Sequence, residues 1–147
     1  MLFRSRCLEL EITESTFIDD PDSVAADIAD LRRLGVLISI DDFGTGFASL
    51  NYLRRFAFDV LKIDRSFIEG IPGEPGHAAI VEAVIMLSNS LGIQVVAEGV
   101  ETAEQVGVLS AYGCKLAQGY YFSPPVSPEA FTELMTRQPF ASLPGLV

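Results

Sequence analysis

Short apolar runs alternate along this chain with segments whose apolar residues recur at helical spacing. The runs cover residues 8–12, 36–40, 60–63, 94–97 and 116–122. After the first run, Val24, Ile28 and Leu31 follow the i, i+4, i+7 spacing of one helix face, and Gly35 suits a C-terminal cap. Further helices are predicted from residue 80 to near residue 92, over 103–112 and over 128–135. Strands that alternate with helices predict βα units and a parallel sheet, which is either doubly wound or closed as a barrel.

The length of the chain, 147 residues, suits one domain or a piece of one. No apolar run approaches the ~18–20 residues that a membrane-spanning helix requires. The first residues lack the apolar stretch and the cleavage site of a secretory signal. We therefore expect a cytoplasmic location, although the parent protein could be anchored to a membrane through other regions. Cys7 and Cys114 have no metal-site or disulfide-framework spacing and are expected to be buried free thiols.

The charge of the chain excludes one class of partner. Its formal net charge of −10 argues against the broad basic surface that grips a nucleic-acid polymer. If a phosphate compound binds to such an acidic chain, a metal ion has to neutralise the site.

Polar residues stand near the C-terminal end of every predicted strand. Alternation along each strand separates them from the apolar residues that face the helices. These residues are Glu11, Asp41, Lys62, Glu98 and Gln118. In a (β/α)8 barrel, catalytic residues from several strands converge at this end.

The acidic residues among them admit two interpretations. Single acids at βα turns are common helix caps that face water. However, Glu11, Asp41, Asp42 and Glu98 together would repel one another unless they were protonated, hydrogen-bonded or bound to cations. Hard divalent ions meet this requirement best, and Lys62 would neutralise part of the remaining charge. The combination therefore favours a metal site.

Five motifs carry a resemblance to a known family. They are LEITES at 10–15, DDFGTG at 41–46, LKID at 61–64, AEGVET at 97–102 and QGY at 118–120. In this order and at these separations they closely resemble the later motifs of EAL domains, over residues 8–131. The resemblance implies an α/β fold that is a partial TIM-type (β/α)8 barrel with about five of the eight βα units, the N-terminal units being absent. It also implies metal-dependent hydrolysis of cyclic di-GMP to linear pGpG in bacterial second-messenger signalling.

The resemblance assigns a role to individual residues. Asp41 would bridge two Mg²⁺ or Mn²⁺ ions, Glu11 would ligate one ion, and Asp42 and Glu98 would ligate the other. Lys62 would orient the attacking water, so that Lys62, Glu98 and Asp41 form the catalytic set. The supporting or substrate-binding residues would be Glu14, which tethers the loop at 43–50 near a dimer contact, together with Asp64, Glu101 and Gln118.

Two family features are missing from the sequence, namely the early Glu-Ala-Leu motif and a ligating Asn. We therefore interpret residues 1–6 as a non-native or disordered start, 7–137 as the C-terminal portion of the barrel and 138–147 as a loose tail. The expected partners are cyclic di-GMP, the missing N-terminal half of the barrel and, in the intact domain, a second copy. The chain alone is expected to be inactive. The alternative is a non-catalytic EAL-like module that binds cyclic di-GMP or a protein partner.

Overall fold

The computed structural model describes residues 4–13, 16, 20–44 and 50–137. The strands are β1 (Glu9–Thr13), β2 (Leu37–Phe43), β3 (Val60–Ile63), β4 (Gln94–Ala97) and β5 (Leu116–Ala117). The α-helices are α1 (Pro21–Arg33), α2 (Leu50–Arg55), α3 (Arg65–Glu69), α4 (Pro75–Leu91), α5 (Ala103–Ala111) and α6 (Pro128–Arg137). A 3₁₀ turn at Ser5–Cys7 precedes β1. Within the described residues, no helix is both long and apolar enough to cross a membrane.

The strands form a parallel sheet in the order β1-β2-β3-β4-β5. The chain divides into two compact units, one with residues 1–64 and 87–95 and the other with residues 65–86 and 96–147. In the first unit, Glu9 of β1 lies opposite Leu37 of β2, and Ser39 of β2 lies opposite Val60 of β3. In the second, Val96 of β4 lies opposite Leu116 of β5. The expected parallel sheet of βα units is therefore confirmed.

The core of the first unit follows from the composition of its central strands. All four residues of β3 are buried, as is typical of a parallel strand that is covered on both faces. Ile38 and Ile40 of β2 are also buried, with at most 1% of their surface exposed. Burying an aliphatic side chain of this size contributes roughly 1.5–3 kcal/mol. The packing of these strands fixes the positions of the polar side chains at their ends.

Asp59 ties one helix to two strands of this unit. Its Oδ1 accepts a hydrogen bond from Arg32 of α1 at 2.8 Å, and its Oδ2 accepts one from the backbone N–H of Ile38 at 2.9 Å. The backbone carbonyl of the same residue accepts a bond from the N–H of Gln94, at the start of β4. Asp59 therefore links α1, β2 and the start of β4 to the N-terminal end of β3.

All four predicted helices are confirmed, and three corrections concern other parts of the chain. The strand predicted over 116–122 ends at Ala117, because the N–H of Tyr121 bonds to the carbonyl of Val100 and the chain turns at Gly119. The short helices α2 and α3 were not predicted, since neither is long enough to display a helical period. Cys114 is buried as expected, but Cys7 is exposed because it lies in the 3₁₀ turn ahead of β1.

Candidate active site

A lysine of β3 joins two carboxylates from the neighbouring strands. The Nζ atom of Lys62 donates a hydrogen bond to Oε1 of Glu11, on β1, at 2.9 Å, and lies 3.3 Å from Oδ1 of Asp41, on β2. The Lys62 side chain is only 11% exposed. Three adjacent parallel strands thus bring one charged side chain each to the same place. This grouping is the one expected from the alternation of polar and apolar residues.

A break in strand register brings a second acid to this group. The pairing of β2 with β3 shifts between Ile40 and Phe43, and Asp42 has a φ of +53°, in the left-handed region. Consecutive residues of a regular strand point to opposite faces, whereas a bulge can turn one of them. Asp41 and Asp42 can therefore both contribute to one cluster although they are adjacent in sequence.

The electrostatic environment of Asp42 shows that this cluster is crowded with negative charge. Desolvation raises the pKa of Asp42 above its ordinary value of 3.8. The charges of Asp41, Asp64 and Glu11 raise the pKa further, and the ammonium group of Lys62 opposes them. Ionised Asp42 is therefore disfavoured in the folded protein relative to the unfolded chain.

This shift predicts how stability depends on pH in the absence of metal. Because the folded-state pKa of Asp42 is raised, its ionisation lowers stability as the pH rises from 3.8 through the raised value. We expect Asp42→Asn to raise the melting temperature at pH 7 by about 1–3 °C, and the gain to disappear by about pH 2, far enough below 3.8 for the carboxyl to be protonated in both states. Thermal unfolding in a chelator at the two pH values measures this. The control is Asp30→Asn, which removes an exposed acid paired with Arg33. A lower melting temperature for Asp42→Asn than for the parent at pH 7 would contradict the prediction.

The cluster fits a hard cation in the chemistry of its donors. Oδ1 of Asp41 is buried and accepts no hydrogen bond, although the positive charge of Lys62 lies nearby. Carboxylate oxygens are the ligands that Mg²⁺ and Mn²⁺ prefer. In residues 4–13, 16, 20–44 and 50–137, no three Asp, Glu, His or Cys side chains converge as a metal centre. The carboxylates are instead arranged as partners of Lys62.

Further predicted site residues lie in the second unit. The side-chain amide of Gln118, just after β5, donates to Oε1 of Glu98, just after β4, at 2.7 Å. Oε1 of Glu101 lies 2.9 Å from the guanidinium group of Arg65, which also pairs with Glu69. The structure thus joins Glu98 to Gln118 and Glu101 to the start of α3.

The segment at 98–102, which carries both acids, is closely packed. Gly99 has a φ of +70°, and a Cβ atom there would collide with the side chain of Arg65. The N–H of Val100 donates to the carbonyl of Gln118 at 3.0 Å, and a Cβ atom on Gly119 would collide with the backbone of Val100. Both glycines of the AEGVET and QGY motifs are therefore required by close contacts.

The predicted site residues fall into two sets, one in each compact unit. Glu11, Asp41, Asp42, Lys62 and Asp64 are brought together in the first unit, and Glu98 and Gln118 are paired in the second. Glu14 lies outside the described residues. Gln105 was not predicted, although it bonds to the segment at 98–102. The spacing of Thr102 and Gln105, typical of a capping box, could have identified it.

Comparisons with known proteins agree with these motifs. A family model described as EAL domain matches residues 2–125. Cyclic di-GMP phosphodiesterase NbdA of Pseudomonas aeruginosa is 45% identical over 139 residues, which cover 95% of this chain and 18% of that protein. The EAL domain of Mycobacterium smegmatis DcpA is 39% identical with a TM-score of 0.84, over 99% of this chain and 62% of that one. A manganese and cyclic di-GMP complex of Klebsiella pneumoniae BlrP1 is 38% identical with a TM-score of 0.78, over 84% of this chain and 31% of that one.

Proposed function

The chain belongs to the EAL domain family, and on this premise we propose that it is part of a metal-dependent phosphodiesterase that hydrolyses cyclic di-GMP to linear pGpG. The observation that supports the proposal most directly is the bridging of Glu11 and Asp41 by Lys62 at the ends of three adjacent strands. The chain spans 18% of the length of NbdA and 31–62% of the two solved chains described above. The activity is therefore proposed for the protein that contains these residues, and residues 1–147 alone are expected to be inactive.

The acids would hold divalent cations. We assign Glu11, Asp41, Asp42 and Glu98 to this role, with Mg²⁺ or Mn²⁺ as the ions, and the manganese complex of BlrP1 supports the choice of a divalent metal. When bound, two such ions supply Lewis-acid stabilisation of the attacking and leaving oxygens in phosphodiester hydrolysis. Asp41 is suited to the central position because its buried Oδ1 accepts no hydrogen bond.

Lys62 would act on the attacking water and on the negative charge that develops during attack. Its ammonium group is held by two carboxylates, so it is already oriented before a substrate arrives. Preorganised donors of this kind stabilise developing charge more effectively than mobile ones. Asp64 would line the substrate pocket beside this group, and the bond from Gln118 would fix the rotamer of Glu98.

A non-catalytic module that binds cyclic di-GMP or a protein partner is the second candidate. The observation that favours it is that Glu11 and Asp41 already share a cationic partner in Lys62, which compensates part of their charge without a metal ion. Homodimerisation and a cytoplasmic location stay predictions under either function.

The experiment that separates the two candidates is the substitution Lys62→Ala in the full-length gene product that carries this chain. We expect turnover of cyclic di-GMP to fall by roughly 100–1,000-fold, as for loss of one donor that stabilises developing charge, with a much smaller change in nucleotide affinity. Hydrolysis is followed by chromatography of pGpG, and binding is measured in Ca²⁺ by calorimetry. Lys115→Ala, at the chain's other lysine, is exposed and should behave as the parent.

The outcomes are distinct. A loss of binding without a loss of turnover would remove Lys62 from its proposed role. A parent protein that binds cyclic di-GMP but does not hydrolyse it at saturating Mn²⁺ would favour the non-catalytic module.

A further inference from the structure

Gln105 is a buried residue whose side-chain oxygen and nitrogen both form hydrogen bonds with backbone groups. The residue belongs to α5 and is only 6% exposed. Oε1 accepts hydrogen bonds from the N–H groups of Glu101 at 2.7 Å and Thr102 at 3.0 Å. Nε2 donates to the carbonyl of Ile68, near the end of α3, at 3.0 Å. A buried amide satisfied in this way is costly to replace, because its partners would lose their bonds away from water.

Part of this arrangement is an ordinary helix cap. Thr102 is the N-cap of α5 and accepts from the N–H of Gln105 at 3.2 Å, so the two residues form a capping box. A capping box requires the side chain of Gln105 to accept a hydrogen bond but not to donate one. The bond from Nε2 to Ile68 therefore goes beyond capping, because it joins the segment at 98–102 to a separate helix.

The same helix holds this segment at a second point. Arg65, at the start of α3, packs against Gly99 and pairs with Glu101. Gln105 connects the end of α3 to the backbone of Glu101 and Thr102. The segment that begins with Glu98 is thus fixed to α3 through both ends of that helix.

We propose that Gln105 is a positioning residue that sets the backbone of the segment at 98–102, and with it the carboxylates of Glu98 and Glu101, against α3. This inference rests on the proposed function, in which Glu98 ligates a metal ion. Outer partners that orient metal ligands typically change metal affinity or activity by about 10–100-fold when they are substituted. Gln105 would act through backbone position, without contact with metal or substrate.

Two substitutions separate positioning from capping. Gln105→Ala removes all three bonds, and we expect the Kd for Mn²⁺ to rise by roughly 10–100-fold, with a matching fall in kcat/KM at limiting Mn²⁺. Gln105→Glu keeps the acceptor that the capping box needs but places an oxygen against the carbonyl of Ile68. We expect this variant to keep α5 capped and yet to lose about tenfold in Mn²⁺ affinity.

The measurements use the full-length gene product with Mn²⁺ as the probe. Free Mn²⁺ is counted by electron paramagnetic resonance, kcat and KM are measured across a Mn²⁺ titration, and amide hydrogen exchange is followed at Glu101 and Thr102. In Gln105→Ala, exchange at these two amides should accelerate by more than about tenfold. The matched control is Leu109→Ala, which opens a cavity at a fully buried position of the same helix. It should lower stability while leaving Mn²⁺ affinity unchanged.

Each outcome bears on one claim. Unchanged Mn²⁺ affinity in Gln105→Ala, or an equal loss in Leu109→Ala, would overturn the positioning role. Full recovery in Gln105→Glu at a pH where the introduced carboxyl is ionised, and so cannot donate to the carbonyl of Ile68, would reduce Gln105 to a helix cap and overturn the role as well. If the parent neither binds Mn²⁺ nor hydrolyses cyclic di-GMP, the proposed function fails, and the positioning of the segment is then decided by hydrogen exchange alone.

Discussion

Replacing Asp41 with asparagine is expected to reduce cyclic di-GMP hydrolysis by at least ~100-fold at physiological Mg²⁺, because loss of a ligand should exceed the cost of losing an outer partner. The substitution preserves the shape of the side chain and removes its charge. Oδ1 of Asp41 accepts no hydrogen bond and lies 3.3 Å from the Lys62 ammonium group. A neutral amide at this position would therefore bind a metal ion more weakly and would lose the charge interaction with Lys62. Initial rates of pGpG formation across a Mg²⁺ titration measure the effect.

The control for this result is Asp30→Asn. Asp30 makes an exposed ion pair with Arg33 on α1, and such pairs contribute little. It should leave activity unchanged, and circular dichroism should show both variants folded. If Asp41→Asn turned over substrate at a rate near that of the parent at equal metal occupancy, the assignment of Asp41 as a metal ligand would be wrong.

A second large effect is expected from Gly119→Ala. Gly119 has a φ of +155°, and an added Cβ atom would overlap the backbone O, N and C atoms of Val100. Backbone cannot rotate away as a side chain can, so the segment at 98–102 or the turn after β5 has to move. We expect the free energy of unfolding to fall by about 2–4 kcal/mol, from strain and overpacking together. Urea unfolding of parent and variant measures the difference.

The control is the same substitution at Gly107, for which we expect the opposite change in stability. Gly107 lies within α5, and a Cβ atom there would meet no heavy atom within 4 Å. Gly107→Ala should stabilise the protein by about 0.5–1 kcal/mol, because alanine is the better helix former. Equal effects of the two substitutions would show that the contact between Gly119 and Val100 does not matter.

The parallel α/β fold and its place within a (β/α)8 barrel could be predicted from the sequence, because apolar runs and motif order are local properties of the chain. The run at 60–63, for example, is apolar except at Lys62, as is typical of a strand buried on both faces. The meeting of Lys62 with Glu11 and Asp41 was predictable for the same reason. Each of the three side chains follows the regular alternation of its strand.

What could not be predicted depends on irregular backbone. Alternation along β2 assigns Asp41 and Asp42 to opposite faces, whereas the register shift and the left-handed Asp42 bring both into one cluster. The early end of β5 likewise follows from bonds between Val100 and the turn at Gly119, residues that lie in different parts of the sequence. The capping-box spacing marks Gln105 in the sequence, but its bond to Ile68 could not be predicted, because it joins two helices that no local pattern connects.

The order of the sheet has a consequence for how the chain acquires its structure during synthesis. Each strand is hydrogen-bonded to the strand that precedes it in the sequence, in the order β1-β2-β3-β4-β5. A ribosome that releases about 5–20 residues per second would deliver each new strand within seconds to the edge that the previous strand had just formed. Pairing can therefore advance from the N-terminus to the C-terminus without waiting for a distant segment, and each step closes a loop that contains one or two helices.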